Sequence, residues 1–258
     1  MRRCLAILFA VYIPFPMIVN SAIRVGHPFY KPPFVINANK GFDLALMKYI
    51  CSQLKKKCDF YPMAFESLFL ALDNGSIDIA IGGINITDWQ AKHYLFSLPY
   101  KITKGQFLVL KGSGISHYKA LDNKRVGTIR GSDFEEFLST DHRKNWQIIL
   151  LDEVTLLFNK LNQKGIDAVF LDAAVIDYWA HHHDAYLRVG NPIFLGDGFG
   201  VMTTPNNDVL IKQINAILLQ MESDGTWEKL YNNYINQSHL SDYQTVLSVL
   251  LSRITSAR

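Results

Sequence analysis

Short apolar runs alternate with amphipathic segments along most of this 258-residue chain, and this alternation constrains the fold more than any other feature. Residues 77–81 are predominantly apolar and rich in β-branched side chains, as expected for a strand buried on both faces. Residues 44–54, which follow Asp43, carry apolar side chains at helical spacing. Alternating strands and helices predict an α/β fold with mostly parallel sheets.

The same rhythm starts again near residue 107. Strands are predicted at residues 107–110, 125–129, 148–151 and 168–171, with helical segments after the last three. Ser132 followed by Glu135 has the spacing of a capping box, which predicts that a helix begins there. The chain is therefore expected to contain two similar α/β units and a terminal helical part.

The N-terminus has the pattern of a secretory signal peptide. Two arginines precede the apolar residues 5–19, and the small residues 20–22 follow. The rival interpretation is a membrane anchor, but Pro14 and Pro16 interrupt a run that is shorter than the ~20 residues a spanning helix needs. We therefore expect residues 1–22 to be removed and the mature protein to be periplasmic. Loss of both arginines lowers the formal charge from +3 to +1, which excludes a strong basic surface for nucleic acid.

Two cysteines remain after cleavage, Cys51 and Cys58. An even number of thiols in an exported protein favours a disulfide, and the alternative is two unrelated small core residues. The pair has no metal-ligand spacing around it, and we expect neither a metal nor a cofactor.

Several motifs occur in one fixed order along the chain. They are GFDLAL (41–46), FESLFLALDNGSIDIAIGGINIT (65–87), FSLPY (96–100), VGTIRGSDFEEFL (126–138), GIDAVFLDAAVIDY (165–178) and MESDGTWEKLYNNY (221–234). Each motif is weak alone, but the ordered set resembles the bacterial extracellular solute-binding proteins of family 3, the periplasmic receptors of polar amino-acid ABC transporters. The spacing of Cys51 and Cys58 is similar to that of the disulfide in the family's histidine and lysine/arginine/ornithine-binding members.

The resemblance implies a two-lobed periplasmic binding protein of type II-like topology, with each lobe a mostly parallel sheet flanked by helices. Lobe 1 would contain residues 23–103 and 197–258, and the inserted lobe 2 residues 104–196. Two crossing strands would form the hinge, and an extra C-terminal helix is expected at residues 237–258. Closure of the lobes would trap a small polar ligand for delivery to a membrane permease.

The resemblance also implies ligand contacts from lobe 1. Gly83 and Asn85 match the segment that holds the ligand's α-amino group, and Phe65 matches an aromatic residue that stacks on the ligand side chain. Another contact is expected from the first loop, where Tyr30 and Lys31 both remain candidates.

Two positions depart from the family's pattern. Gln90 stands where an arginine normally binds the ligand carboxylate, and it offers no bidentate cation. Asp133 stands where a small hydroxyl residue is common, and a carboxylate there would repel an anionic ligand. The alternative is that Asp133 serves only the helix N-terminus, where acids are favoured. Arg130 either compensates for Asp133 or is a solvated surface residue, and the free N–H groups at Ser132 offer a further anion contact. Asp172 matches an acid that binds the α-amino group, although it also suits a helix N-cap.

Three functions are compatible with these residues. The retained motif series favours an amino-acid receptor. Gln90 and Asp133 leave open a receptor for a cationic amine or a modified amino acid without a normal α-carboxylate. A cyclohexadienyl-dehydratase-like enzyme on the same scaffold is the third alternative, but no nucleophile–base pair is evident, so we expect a binding protein and not an enzyme.

Overall fold

The computed structural model describes residues 22–141 and 145–235. Most of the predicted signal peptide and the predicted helix at 237–258 lie outside these residues. Within the described residues the strands are, in chain order, β1 (Ile23–Pro28), β2 (Cys58–Met63), β3 (Ile79–Ala80), β4 (Leu95–Phe96), β5 (Lys104–Leu110), β6 (Arg125–Ile129), β7 (Gln147–Leu151), β8 (Ala168–Asp172), β9 (Tyr186–Phe194) and β10 (Met202–Thr203). The α-helices are α1 (Phe42–Gln53), α2 (Ser67–Asp73), α3 (Asp88–His93), α4 (Asp133–Thr140), α5 (Val154–Asn162), α6 (Ala173–His182), α7 (Asp208–Ser223) and α8 (Thr226–Tyr234).

The first sheet has the strand order β2-β1-β3-β10-β4. β1 pairs in parallel with β2 and β3, whereas β10 is antiparallel to β3 and β4. Strands from the start of the chain therefore share a sheet with β10, which returns after the second sheet is complete.

The second sheet has the order β7-β6-β8-β5-β9. β6 is parallel to β7 and β8, and β5 is antiparallel to β8 and β9. The predicted α/β fold with two sheets is confirmed, but the expectation of mostly parallel sheets is wrong, because each sheet has two parallel and two antiparallel pairings.

β9 is a strand that the sequence pattern does not predict. Its side chains are mostly exposed, and Gly190 and Pro192 lie within it. It lies at the edge of the sheet, where a proline costs no hydrogen bond to a neighbouring strand.

Two segments connect the sheets and run antiparallel to each other. The N–H of Phe199 donates to the carbonyl of Lys101 at 2.7 Å, and the N–H of Leu195 donates to the carbonyl of Thr103 at 3.1 Å. The ends of β3, β6 and β8 all reach the space between the sheets, as do the residues that follow them.

The hydrophobic core extends through both sheets. α8 packs on α1, where Phe42 contacts Trp227 and Tyr231 edge to face at 6.2 Å and 5.9 Å between ring centroids. This contact joins the C-terminal helices to the first sheet, although they follow the second sheet in the sequence. In residues 22–141 and 145–235, no helix has the length and apolar character that a bilayer crossing requires.

Candidate functional site

A buried polar cluster lies between the two sheets. The first sheet with its loops and α1 contributes Lys31, Asp43 and Asn85, a connecting segment contributes Lys101, and the second sheet with α4 contributes Asp133 and Asp172, all of them buried. Charged side chains are rarely buried unless they are paired, so this cluster is the first candidate for a ligand site.

Asn85 connects the two sheets through four hydrogen bonds. Its Nδ2 donates to Asp133 Oδ2 at 3.0 Å and to the carbonyl of Leu195 at 3.1 Å. Its Oδ1 accepts from Thr103 Oγ1 at 2.9 Å and from the N–H of Gly198 at 3.1 Å. The amide therefore has all its hydrogen-bonding capacity satisfied, with one partner in the second sheet and three in the connecting segments.

Gly83 follows β3 and has φ = 63°, a conformation that favours glycine. Its N–H donates to Asp43 Oδ2 at 2.7 Å, and its carbonyl accepts from Lys31 Nζ at 3.0 Å. A Cβ atom here would lie 2.9 Å from that same Nζ. The absence of a side chain thus lets an ammonium group reach the backbone.

Asp172 performs two roles at once. Its Oδ1 accepts from the N–H of Ala174 at 2.9 Å, which makes it the N-cap of α6. Its Oδ2 lies 3.2 Å from Lys101 Nζ, which also donates to the carbonyl of Ile102 at 2.8 Å. Asp172 is therefore fully buried but neutralised by a lysine from a connecting segment.

Burial is the largest influence on the pKa of the other two carboxyl groups, those of Asp43 and Asp133. It raises the pKa of Asp43 from 3.8 to about 7, although Gly83 N–H and Tyr100 Oη, at 3.1 Å, both donate to this carboxyl. Burial also raises the pKa of Asp133 from 3.8 to about 7, and the nearby Lys31 partly opposes this shift. Asp133 can therefore exchange a proton near neutral pH.

Gln90 is buried, and its Oε1 has no hydrogen-bond partner among the residues described. A cavity of about 580 Å³ lies next to it, and Thr87, Ser132 and Asp133 also border that cavity. The volume is in the range of small-molecule sites. The structure thus brings Gln90 and Asp133, the two departures from the family's pattern, to the same cavity.

Ser132 is the N-cap of α4, as predicted. Its Oγ donates to the carbonyl of Ile129 at 2.6 Å and accepts from the N–H of Glu135 at 3.4 Å. The reciprocal half of the capping box differs, because the Glu135 carboxylate accepts from the N–H of Gly131 at 2.6 Å, one residue before the cap.

Phe65 and Tyr30 border a second, smaller cavity of about 20 Å³ together with Lys31 and Ser132. Phe65 is buried with its ring centroid 5.2 Å from Lys31 Nζ. Tyr30 contacts Trp179 of α6 edge to face at 6.3 Å.

Arg130 is the one predicted site residue that the structure sets apart. Its Nε lies 3.0 Å from Asp152 Oδ1 and 4.0 Å from Glu66 Oε2, and its side chain is 44% exposed. The guanidinium is thus engaged by surface acids, and the expected compensation for Asp133 by Arg130 has no contact that supports it.

Cys51 and Cys58 form the predicted disulfide, which joins α1 to β2 across a Cα–Cα distance of 6.2 Å. Among the residues described there is no group of three or more His, Cys, Asp or Glu side chains that could hold a metal ion.

Sequence reasoning missed two members of the buried polar cluster. Lys101 directly follows the FSLPY motif, and Asp43 lies within GFDLAL, where its position suited a helix N-terminus. Their positions in or next to a motif were the only indication that these residues belong to the site. A sequence does not distinguish a buried charge from an exposed one.

Residues 23–237 match the family model described as bacterial extracellular solute-binding proteins, family 3. The chain is 29% identical over 221 residues to the arginine-binding periplasmic protein of Mannheimia haemolytica, covering 83% of this chain and 90% of that protein. It is 30% identical over 202 residues to a probable histidine-binding protein of Neisseria gonorrhoeae, covering 76% and 74%. The crystal structure of an arginine transport-system periplasmic binding protein from Legionella pneumophila superposes with a TM-score of 0.79 at 34% identity, covering 83% of this chain and 99% of that one.

Proposed function

The chain belongs to the bacterial extracellular solute-binding proteins of family 3, and from that premise we propose that it is the receptor of an ABC transporter for a cationic amino acid of the arginine class. Relatives named for arginine and histidine binding support this ligand class. These relatives are binding proteins, and the chain is accordingly a binding protein and not an enzyme.

One observation in the structure supports a ligand that carries an ammonium group, and the choice of the arginine class rests on the relatives. Three carboxyl groups, those of Asp43, Asp133 and Asp172, are buried between the sheets, and the ammonium groups of Lys31 and Lys101 lie among them. A buried charge is tolerated only when it is paired. A buried site whose carboxyl groups already pair with ammonium groups can therefore also pair with a positively charged group of a ligand.

We assign the lobes as the sequence predicts, residues 23–103 with 197–258 and residues 104–196. The antiparallel segments between the sheets would be the hinge, and the buried polar cluster would be the ligand cleft. The partner is a membrane permease that accepts the closed, loaded form, and the compartment is the periplasm.

Within the cleft, the ligand's α-ammonium group is placed at the carbonyl of Gly83 and at Asp172. Its α-carboxylate is placed at Gln90 and at the first N–H groups of α4, which begins after Ser132. Asp133 has a pKa of about 7, so near neutral pH it can be protonated and donate a hydrogen bond to that carboxylate. Phe65 packs against the side chain of the ligand.

A second candidate is a receptor for an amine without an α-carboxylate. Gln90 supplies no cation at the carboxylate position, and an ionised Asp133 would attract a positive group there. This alternative requires the opposite protonation state of Asp133, so the two candidates predict opposite pH dependence of binding.

The identity of the natural ligand tests the proposal. The protein is purified under native conditions and then unfolded. The small molecules that it releases are identified by mass spectrometry. We expect a cationic amino acid, whereas a free amine would support the second candidate, and a neutral or acidic solute would refute both.

A further inference from the structure

The side chain of Lys31 extends into the space between the sheets and binds the chain's own carbonyl groups. Its Nζ donates to the carbonyl of Gly82 at 3.2 Å and to that of Gly83 at 3.0 Å. The residue is only 4% exposed. The ammonium group therefore takes the backbone acceptor that the proposed function assigns to the α-ammonium group of the ligand.

Aromatic rings surround the same ammonium group. The ring centroids of Phe65, Phe199 and Phe134 lie 5.2 Å, 5.5 Å and 6.0 Å from Lys31 Nζ. Carbonyl oxygens and aromatic faces are the groups with which proteins recognise ammonium ions. Phe65 follows β2, Phe199 lies in a connecting segment, and Phe134 belongs to α4 beside the second sheet.

The charges around Lys31 come from both sheets. Burial lowers the pKa of Lys31, and repulsion by Lys101 lowers it further. Attraction to Asp133, Asp172 and Asp43 opposes these shifts. Lys31 thus contributes to an electrostatic attraction between a loop of the first sheet and two carboxyl groups of the second.

The loop that carries Lys31 has a fixed backbone. The N–H of Lys31 donates to the carbonyl of Val35 at 2.8 Å, and the N–H of Val35 donates back at 3.0 Å. The cavity of about 20 Å³ beside the lysine has room for about one water molecule. A ligand of the size of an amino acid therefore does not fit in this cavity while Lys31 occupies its place.

We propose that Lys31 is a tethered occupant of the ligand's ammonium position, so that a free ligand binds only by displacing it. The idea rests on the proposed function for the identity of the ligand. Until ligand arrives, Lys31 holds the lobes together. Because only molecules with Lys31 displaced can bind, the lysine weakens the apparent affinity and excludes ligands whose ammonium group competes poorly.

The test compares Lys31→Met with Lys48→Met. Lys48 is also a lysine over an aromatic ring, 5.9 Å from the centroid of Phe60, and its Nζ donates to the carbonyl of Asn39 at 2.9 Å. It is exposed and lies outside the cleft. By isothermal titration calorimetry we expect Lys31→Met to bind L-arginine about 10-fold or more tightly than the wild type, the equivalent of one charged hydrogen bond. Lys48→Met should bind like the wild type.

A second readout needs no ligand. Small-angle X-ray scattering should give a larger radius of gyration for ligand-free Lys31→Met than for the wild type, and saturating L-arginine should restore the smaller value. If the Met variant does not fold, Lys31→Leu replaces it, since leucine also lacks the ammonium group and leaves the Gly83 carbonyl to the ligand.

The outcomes distinguish the proposed role of Lys31 from the proposed identity of the ligand. Weaker or unchanged L-arginine binding by the Lys31 variant, with a wild type that binds, would overturn the tethered-occupant proposal and make Lys31 a direct ligand contact or a bystander. An unchanged ligand-free radius of gyration would also overturn it. If no variant binds a cationic amino acid, the proposed ligand is wrong, and the scattering comparison alone decides the role of Lys31.

Discussion

Asn85→Asp tests the contact that joins the two sheets, because it changes the hydrogen-bonding chemistry at almost constant shape. In the wild type, Nδ2 donates to Asp133 Oδ2 and to the carbonyl of Leu195. An aspartate at position 85 would present an oxygen to both acceptors. Its other oxygen would still accept from Thr103 and Gly198.

The loss of stability in Asn85→Asp has one part that is independent of pH and another that depends on pH. The carbonyl of Leu195 loses its donor, which costs about 1–3 kcal/mol for a buried acceptor. The second part is repulsion between two carboxylates about 3 Å apart, as the present distance of 3.0 Å indicates. Unit charges at about 4 Å repel by about 4 kcal/mol at an effective dielectric constant of about 20, which sets an upper scale for this part.

The pH dependence follows from the pKa of Asp133, which is about 7 in the folded protein and higher than its ordinary value of 3.8. In the wild type, the folded state binds a proton that the unfolded state lacks between these two values, so stability falls as pH rises towards 7 and then changes little. In the variant, two close carboxyl groups share one proton to a higher pH. The variant should therefore lose about 1.4 kcal/mol more per pH unit above 7.

Urea denaturation of both proteins at pH 6 and pH 9 measures the effect. We expect Asn85→Asp to cost about 2 kcal/mol at pH 6 and about 4 kcal/mol or more at pH 9. The double variant Asn85→Asp with Asp133→Asn exchanges the partners, keeps one carboxyl and one amide, and should lose the extra pH dependence. An equal cost of the single variant at both pH values would show that Asn85 does not face Asp133 in solution.

Three further outcomes are expected. Reduction of the Cys51–Cys58 bridge should lower the free energy of unfolding by about 2–3 kcal/mol in urea titrations, and equal stability with and without reductant would contradict a structural bridge. Asp172→Asn should weaken ligand binding by about 1.5–3 kcal/mol in calorimetry, because asparagine preserves the helix cap but removes the carboxylate proposed to bind the ligand's α-ammonium group. A lower melting temperature with unchanged affinity would limit Asp172 to a structural role through its ion pair with Lys101. Gln90→Arg should tighten binding of L-arginine by supplying a bidentate partner for its carboxylate and should weaken binding of agmatine, its decarboxylated analogue, whereas unchanged affinity for both would place Gln90 outside the site.

The elements that the sequence predicts well are those whose burial produces a clear pattern. The strands before Gly83 and Asp172 lie in predominantly apolar runs, and such runs are typical of strands covered on both faces. β9 shows the limit, because an exposed edge strand with Gly190 and Pro192 has neither an apolar run nor strict alternation. Its pairing with β5 depends on tertiary contacts that no local pattern encodes.

The candidate site was predictable to the extent that its residues stand at the ends of predicted strands. Asn85, Asp133 and Asp172 could be located in this way. The direction of a side chain at a strand end could not be predicted. Arg130 precedes Ser132 by two residues but turns towards Asp152 at the surface.

Lys31 shows what a sequence cannot indicate. A lysine in a loop is normally solvated, and its burial here depends on carbonyl groups and rings that are more than 30 residues away in the chain. The same holds for Lys101, whose partner Asp172 lies 71 residues further on. Long-range pairing of charges, and not residue type, creates the cluster.

Calorimetric titration of ligand-stripped wild-type protein with L-arginine and with agmatine, each at pH 6 and pH 8, tests the central claim most directly. We predict 1:1 binding of L-arginine that is tighter at pH 6. The ligand's ammonium group replaces that of Lys31, so the ligand carboxylate is the new charge beside Asp133, and protonated Asp133 accommodates it. Agmatine should bind more weakly and should favour pH 8. Tighter binding of agmatine than of L-arginine, or no binding of L-arginine at either pH, would contradict a receptor for arginine-class amino acids with its ligand between the two sheets.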